Sequence, residues 1–108
     1  MPHYLLTYDL APDYLERRSA FRDRHLALAW QAADEGALLL GGAVGDPVES
    51  ALLLFTDAAT ASAFAEADPY VSEGLVRSWR VVPWSTVVGP GAASPLRPNG
   101  GDSPASRS

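Results

Sequence analysis

The stretch from Tyr14 to Gly36, YLERRSAFRDRHLALAWQAADEG, holds the residues best suited to chemistry. Arg18, Arg22 and His25 follow one another at helical spacing, so two guanidinium groups and an imidazole project from nearly one side of one helix. Histidine is the side chain that titrates closest to neutrality, and it can take and return a proton once a neighbour fixes its tautomer. The planar forks of the two arginines suit a carboxylate or phenolate. A plainer reading stands beside this one: a half-buried histidine bonded to a carbonyl or water, and two solvated arginines, Arg18 pairing with Asp13, Glu16 or another nearby acid.

The element that must carry this row is a helix of roughly five to six turns, because strong helix formers dominate the stretch and its only Gly is the last residue. Asp13 can cap its start and Gly36 can close its end. Leu15, Leu26, Ala29 and Ala33 recur at helical spacing, the pattern of a face packed on a sheet.

Around that helix the chain reads as strand, helix, strand, strand, helix, strand. His3 to Leu10 is a Tyr- and Leu-rich run closed by Ala11-Pro12-Asp13, and His3 itself reads as exposed. Ala37 to Val44 and Ser50 to Thr56 form a hairpin about Gly45-Asp46-Pro47. Gly41 and Gly42 read as a strand end or bulge, and their functional reading is close backbone approach to a ligand, with Gly42 the substrate-binding candidate. Thr56 or Asp57 caps an Ala-rich helix over Ala58 to Ala67, which Asp68-Pro69 stops, and Pro69 can open a further short turn. Leu75 to Val88 is the last strand, with Pro83 marking it as an edge. Tyr4, Tyr8 and Trp79 are core or interface aromatics on their strands.

This order is that of an α+β, ferredoxin-like βαββαβ domain with both helices on one face of a four-stranded sheet. Leu38 to Leu40 and Ala51 to Phe55 are apolar on consecutive positions, as strands covered on both faces are. Two helices cover one face only, and the simplest cover for the other is a second copy, so the sequence predicts a homodimer. Residues 1–88 make the domain; 89–108, rich in Gly, Pro and Ser, bury too little to order themselves and read as a disordered tail.

Composition limits the partners. The 108 residues carry a net charge of -5, with 8 basic side chains that are all Arg, which argues against nucleic acid or an anionic membrane surface. No Cys is present, so there is no thiol nucleophile or thiolate metal site, and a reducing compartment fits. Neither a basic leader nor an apolar run of roughly 18 residues is visible, and a cytoplasmic protein is expected. Two distant histidines do not suggest a metal, and no phosphate loop or dinucleotide fingerprint appears.

Over roughly residues 1 to 88 the segment ERRSAFRDRHLALAWQAADEG, the strand end GGAV and above all ADPYVSEGLV resemble the YciI-like (YCII-related) family. That resemblance implies a ferredoxin-like fold that dimerises as an α/β barrel, with an active site built on a His and an Asp. One branch is a cofactor-free dehydrochlorinase of a chlorinated hydroxyhydroquinone. The family histidine matches His25, its arginines Arg18 and Arg22, and its Asp-Pro-Tyr motif Asp68, Pro69 and Tyr70. The turn after Gly42 is shorter than relatives often carry, and the tail lies outside the pattern.

The resemblance makes Asp68 the residue expected to orient His25, although Asp before Pro is also simply a good helix cap. Tyr70 reads first as packing with a polar handle and second as a substrate contact. The expected function is a cofactor-independent lyase or isomerase in which His25 moves a proton on a small cyclic oxygenated substrate, Asp68 orients it, and Arg18 or Arg22 holds negative charge. The alternatives are a non-catalytic dimeric module that holds a small metabolite, and an interaction domain whose Arg-His row is solvated.

Overall fold

The computed structural model describes residues 2–98. Four strands and three helices follow in the order β1 (His3–Leu10), α1 (Tyr14–Asp34), β2 (Leu38–Val44), β3 (Ser50–Phe55), α2 (Ala58–Ala67), α3 (Pro69–Ser72) and β4 (Val76–Trp84). The fold is mixed α+β. Its single sheet has the order β2-β3-β1-β4, and every neighbouring pair is antiparallel.

Strand register sorts side chains between the two faces, because alternate residues of a strand point to opposite sides. One cross-sheet row runs Gly41, Leu53, Leu6, Val81 and the next on that face Ala43, Ala51, Tyr8, Trp79. These rows lie under the helices, where Leu6, Tyr8, Leu53 and Phe55 pack with Phe64, Ala61 and Ala65 of α2. The row on the opposite face runs Leu40, Leu54, Leu5, Val82. Among the described residues no helix lies over it, and Leu40 is 73% exposed.

The helix α1 ends as its sequence suggests. Gly36 takes a φ of 84°, and the amides of Gly36 and Ala37 donate to Ala33 and Ala32, closing the last turn in a Schellman arrangement. Its start differs from expectation. Asp13 occupies the capping position but its carboxylate accepts no helix amide, and it lies 3.8 Å from Arg17 instead. The packed face also differs. Leu15 and Leu26 are 48% and 39% exposed, while Tyr14 and Ala32 are buried and Phe21 and Leu28 pack against the core. These positions form a stripe of Tyr14, Arg18, Phe21, His25, Leu28 and Ala32, so His25 stands inside the inward face of the helix. In α2 the cap is as expected: Asp57 accepts from the Thr60 amide at 2.9 Å.

Three smaller expectations are corrected. The irregularity in β2 falls between Leu38 and Leu40, with Leu39 as the extra residue, and the two glycines continue the regular ladder. The last strand stops at Trp84, short of Val88. His3 is buried, not exposed, and its Nδ1 lies 2.7 Å from the Thr86 hydroxyl. Edge strand β4 does carry Pro83. Of the segment 89–108, residues 99–108 lie outside the described residues; in the remainder, the amides of Ser94 and Leu96 donate to the carbonyls of Thr86 and Val87. Among the described residues no helix is long and apolar enough to cross a membrane.

Candidate active site

Asp68 is the hub of the site. It ends α2 and opens α3, with the extended backbone (φ -71°, ψ 123°) that a following proline favours. Its side chain is fully buried, yet among the described residues no Arg is paired with it. Three donors satisfy it instead. The Tyr70 amide donates to Oδ1 at 3.0 Å, the Tyr8 hydroxyl donates to Oδ2 at 2.6 Å, and His25 Nδ1 lies 2.9 Å and 3.0 Å from the two oxygens. The capping role and the histidine contact coexist on one carboxylate.

His25 arrives from the inward stripe of α1 and is held on several sides. Its ring lies flat on that of Tyr70, with centroids 3.9 Å apart and an interplanar angle of 7°, and meets Phe64 edge-on at 6.2 Å. Tyr14 in turn packs edge-on to Tyr70 at 5.6 Å. A carboxylate that accepts at Nδ1 favours the tautomer with its proton there, leaving Nε2 as the nitrogen free to accept another. The His25 side chain keeps 15% of its surface accessible, and that surface forms part of a cavity.

The cavity occupies about 320 Å³ between α1 and β2. Arg18, Arg22, Tyr70 and Gly42 all line it with His25, so the structure gathers five of the six residues singled out in the sequence around one space. The sixth, Asp68, lies behind His25. Arg18 sits over the Tyr14 ring at 5.7 Å, and among the described residues neither Arg18 nor Arg22 makes an ion pair. Gly41, whose register partner is Leu53, presents its α-carbon to the helix side, whereas Gly42 pairs with Leu52 of the outer face. Gly41 is therefore the better candidate for the floor. A methyl there would make ordinary contact with Leu53 at 3.4 Å.

Two tyrosines join the site that their sequence positions identified only as packing or not at all. Tyr8 reads as a core aromatic, and it is buried, but its hydroxyl is spent on Asp68. Burial pushes its phenol far above the ordinary tyrosine value, and the charge of Asp68 and the hydrogen bond to it add to this. It stays a donor throughout the working range. Tyr14 lines the cavity one helical turn before Arg18, a spacing that could have identified it. Burial also raises Tyr70, with Tyr14 adding and the charges of Arg22 and Arg18 opposing, to about 12. Among the described residues no group of three or more His, Asp or Glu side chains is gathered as a metal ion requires.

Comparison with known proteins speaks to the family and the fold. Residues 1–85 match the family model of the YCII-related domain. Protein YciI of Escherichia coli O6:H1 and that of Shigella flexneri are each 34% identical over 86 residues, covering 69% of this chain and 88% of theirs. Among solved structures, 5-chloro-2-hydroxyhydroquinone dehydrochlorinase (TftG) from Burkholderia phenoliruptrix, in complex with 2,5-dihydroxybenzoquinone, aligns with a TM-score of 0.64. That match covers 78% of this chain and 94% of the other at 20% identity, so it speaks to fold alone.

Proposed function

The chain belongs to the YCII-related domain family, and on that premise we propose that it is a small cofactor-independent lyase or isomerase that moves a proton with its own side chains. The observation that carries the reading is the contact of His25 Nδ1 with Asp68 at 2.9 Å, on the wall of a cavity that Arg18 and Arg22 also line. In this reading Nε2 of His25 takes a proton from a carbon or hydroxyl of a bound cyclic, oxygenated substrate. Asp68 holds the ring in the required tautomer and balances the imidazolium that forms. Arg22 and Arg18 hold the negative charge that develops on the substrate oxygen. The imidazolium then returns the proton at another position, giving an isomer, or the substrate anion expels a leaving anion, giving an elimination. The structural neighbour named as a dehydrochlorinase supports the second course through its shared fold.

The fold itself is read as ferredoxin-like, and its assembly as a homodimer closing an α/β barrel. The support is the apolar row Leu40, Leu54, Leu5, Val82 on the face without helices, continued by Trp84 at 49% exposure. A row of that kind on a monomer marks an interaction surface.

Turnover of a panel of hydroxyquinols and lactones tests the reading, with His25→Gln and Arg22→Gln beside the parent chain. Activity that disappears with His25→Gln is the expected result. Activity indifferent to His25 removes the acid–base role, and ligand binding without turnover by the parent leaves a dimeric binding module in its place.

A further inference from the structure

The cavity is longer than a proton-transfer pair requires. Its α1 wall extends from Tyr14 to Ala33, which at 1.5 Å rise per residue is about 28 Å of helix. Charge is confined to one part of that length. Arg18, Arg22 and His25 stand in the first half, and beyond them Leu26, Ala29, Trp30 and Ala33 carry no charge. The strand opposite is graded to match. Because the chain turns back between α1 and β2, Leu38 to Leu40 lie across from the apolar end of the helix. The small residues Gly41, Gly42 and Ala43 then lie toward the arginines. Space is thus left beside the positive end, and large apolar side chains line the other.

Two observations show that both ends lack an ion-pair or packing partner among the described residues. Arg17 and Arg77 have carboxylates at 3.8 Å and 3.0 Å, whereas Arg18 and Arg22 form no ion pair among the described residues. Trp30 is 65% exposed, although it lines the cavity. Guanidinium forks facing a cavity are complementary to a carboxylate or phenolate. An apolar wall that continues from them is complementary to hydrocarbon.

We propose that this cavity takes an elongated amphipathic monoanion, its anionic head between Arg18, Arg22 and His25 and its apolar body along the wall from Leu26 to Trp30 toward Leu38. This rests on the reading of the cavity as the substrate site, and it names the class of substrate: an acid or phenol bearing an extended apolar substituent. A compact polar ring would fill only the charged half.

The test is binding, measured by calorimetry on the full chain, of the alkanoate series butanoate, hexanoate, octanoate and decanoate, with octanol as the uncharged control. Indole NMR signals of Trp30, assigned with Trp30→Phe, report the apolar end. Affinity is expected to rise about fourfold for each added methylene group, the transfer value of about 0.8 kcal/mol per buried CH₂. Octanoate is expected to bind at least about tenfold more tightly than octanol, with Arg22→Gln removing that advantage and leaving octanol unchanged. Gly41→Val, which fills the floor in a conformation open to any residue, is expected to weaken the whole series. Equal binding of octanol and octanoate, or affinity independent of chain length, overturns the proposal. So does an absence of binding with a Trp30 signal that moves with protein concentration, which means that a second copy covers the wall. The binding series is read without turnover: hydroxyquinol turnover without alkanoate binding removes this ligand class alone, and alkanoate binding with the expected chain-length dependence but no turnover keeps it while removing the catalytic reading.

Discussion

The Tyr8 hydroxyl donates to Asp68 Oδ2 at 2.6 Å, joining the central strand β1 to the corner between α2 and α3 through a buried phenol and a buried carboxylate. With His25 and the Tyr70 amide, Asp68 accepts from three donors. An Asn at this position offers one acceptor oxygen and turns its own NH₂ toward one of those donors. Asp68→Asn is therefore expected to cost about 1–3 kcal/mol of stability, the penalty for a buried polar group left unsatisfied. Urea unfolding measures it. An Asp68→Asn chain as stable as the parent would show that the three-donor arrangement does not hold in solution.

Tyr8 and Tyr70 also make stability depend on alkaline pH. Both phenols are raised above the ordinary value of 10.0, Tyr70 to about 12 and Tyr8 further, chiefly by burial. Their contribution is complete below about pH 10, where both folded and unfolded chains keep the proton. As pH rises beyond that, the unfolded chain ionises first and stability falls, by up to about 1.4 kcal/mol per pH unit for each tyrosine. Urea midpoints between about pH 8 and about pH 11 should show the decline, and Tyr8→Phe should make it shallower. Stability that stays flat to about pH 11 would mean that neither phenol is held as the structure has it.

The sequence carries the site's cationic row and the Asp-Pro corner more clearly than it carries the face of α1. Leu15, Phe21, Leu26, Leu28 and Trp30 place large apolar groups on several sides of the helix, so spacing alone supports more than one buried face. The true stripe includes Arg18 and His25, which look like interruptions until Asp68 and Tyr70 arrive to receive them. Tyr8 is opaque for a similar reason. Strand parity assigns it to the core, and only the contact with a residue 60 positions later shows where its hydroxyl goes. Caps and breaks were legible at Gly36, Asp57 and Pro69 because each acts through its immediate neighbours. Asp13 was not, since its carboxylate turns to Arg17.

If His25 moves the proton, His25→Ala lowers turnover by about 100- to 10,000-fold, the range of general acid–base assistance. Its effect on folding is smaller, because Asp68 keeps Tyr8 and the Tyr70 amide as donors. Asp68→Ala should lower turnover nearly as much, and the double substitution little further, since groups acting as one unit are not additive. Single-turnover rates on any substrate found in the panel, normalised to folded protein, measure this. Fully additive losses would separate the two residues into independent roles.

The dimer proposal is tested most sharply by two adjacent leucines of β3 that point to opposite faces. Leu52 pairs with Gly42 and Thr7 on the face without helices, and Leu53 pairs with Gly41 and Leu6 under them. Leu53 is buried within the chain itself, so Leu53→Asp places an unpaired charge in the core and is expected to prevent folding. Leu52 is 37% exposed in the single chain. A charge there remains hydrated in a monomer but is desolvated twice where two such faces meet about a twofold axis. Leu52→Asp is therefore expected to leave the circular dichroism spectrum of the fold unchanged while sedimentation at micromolar concentration moves from twice the chain mass to the chain mass. A parent chain that sediments as a monomer, or a Leu52→Asp chain that still sediments as a dimer, would remove this face as the interface.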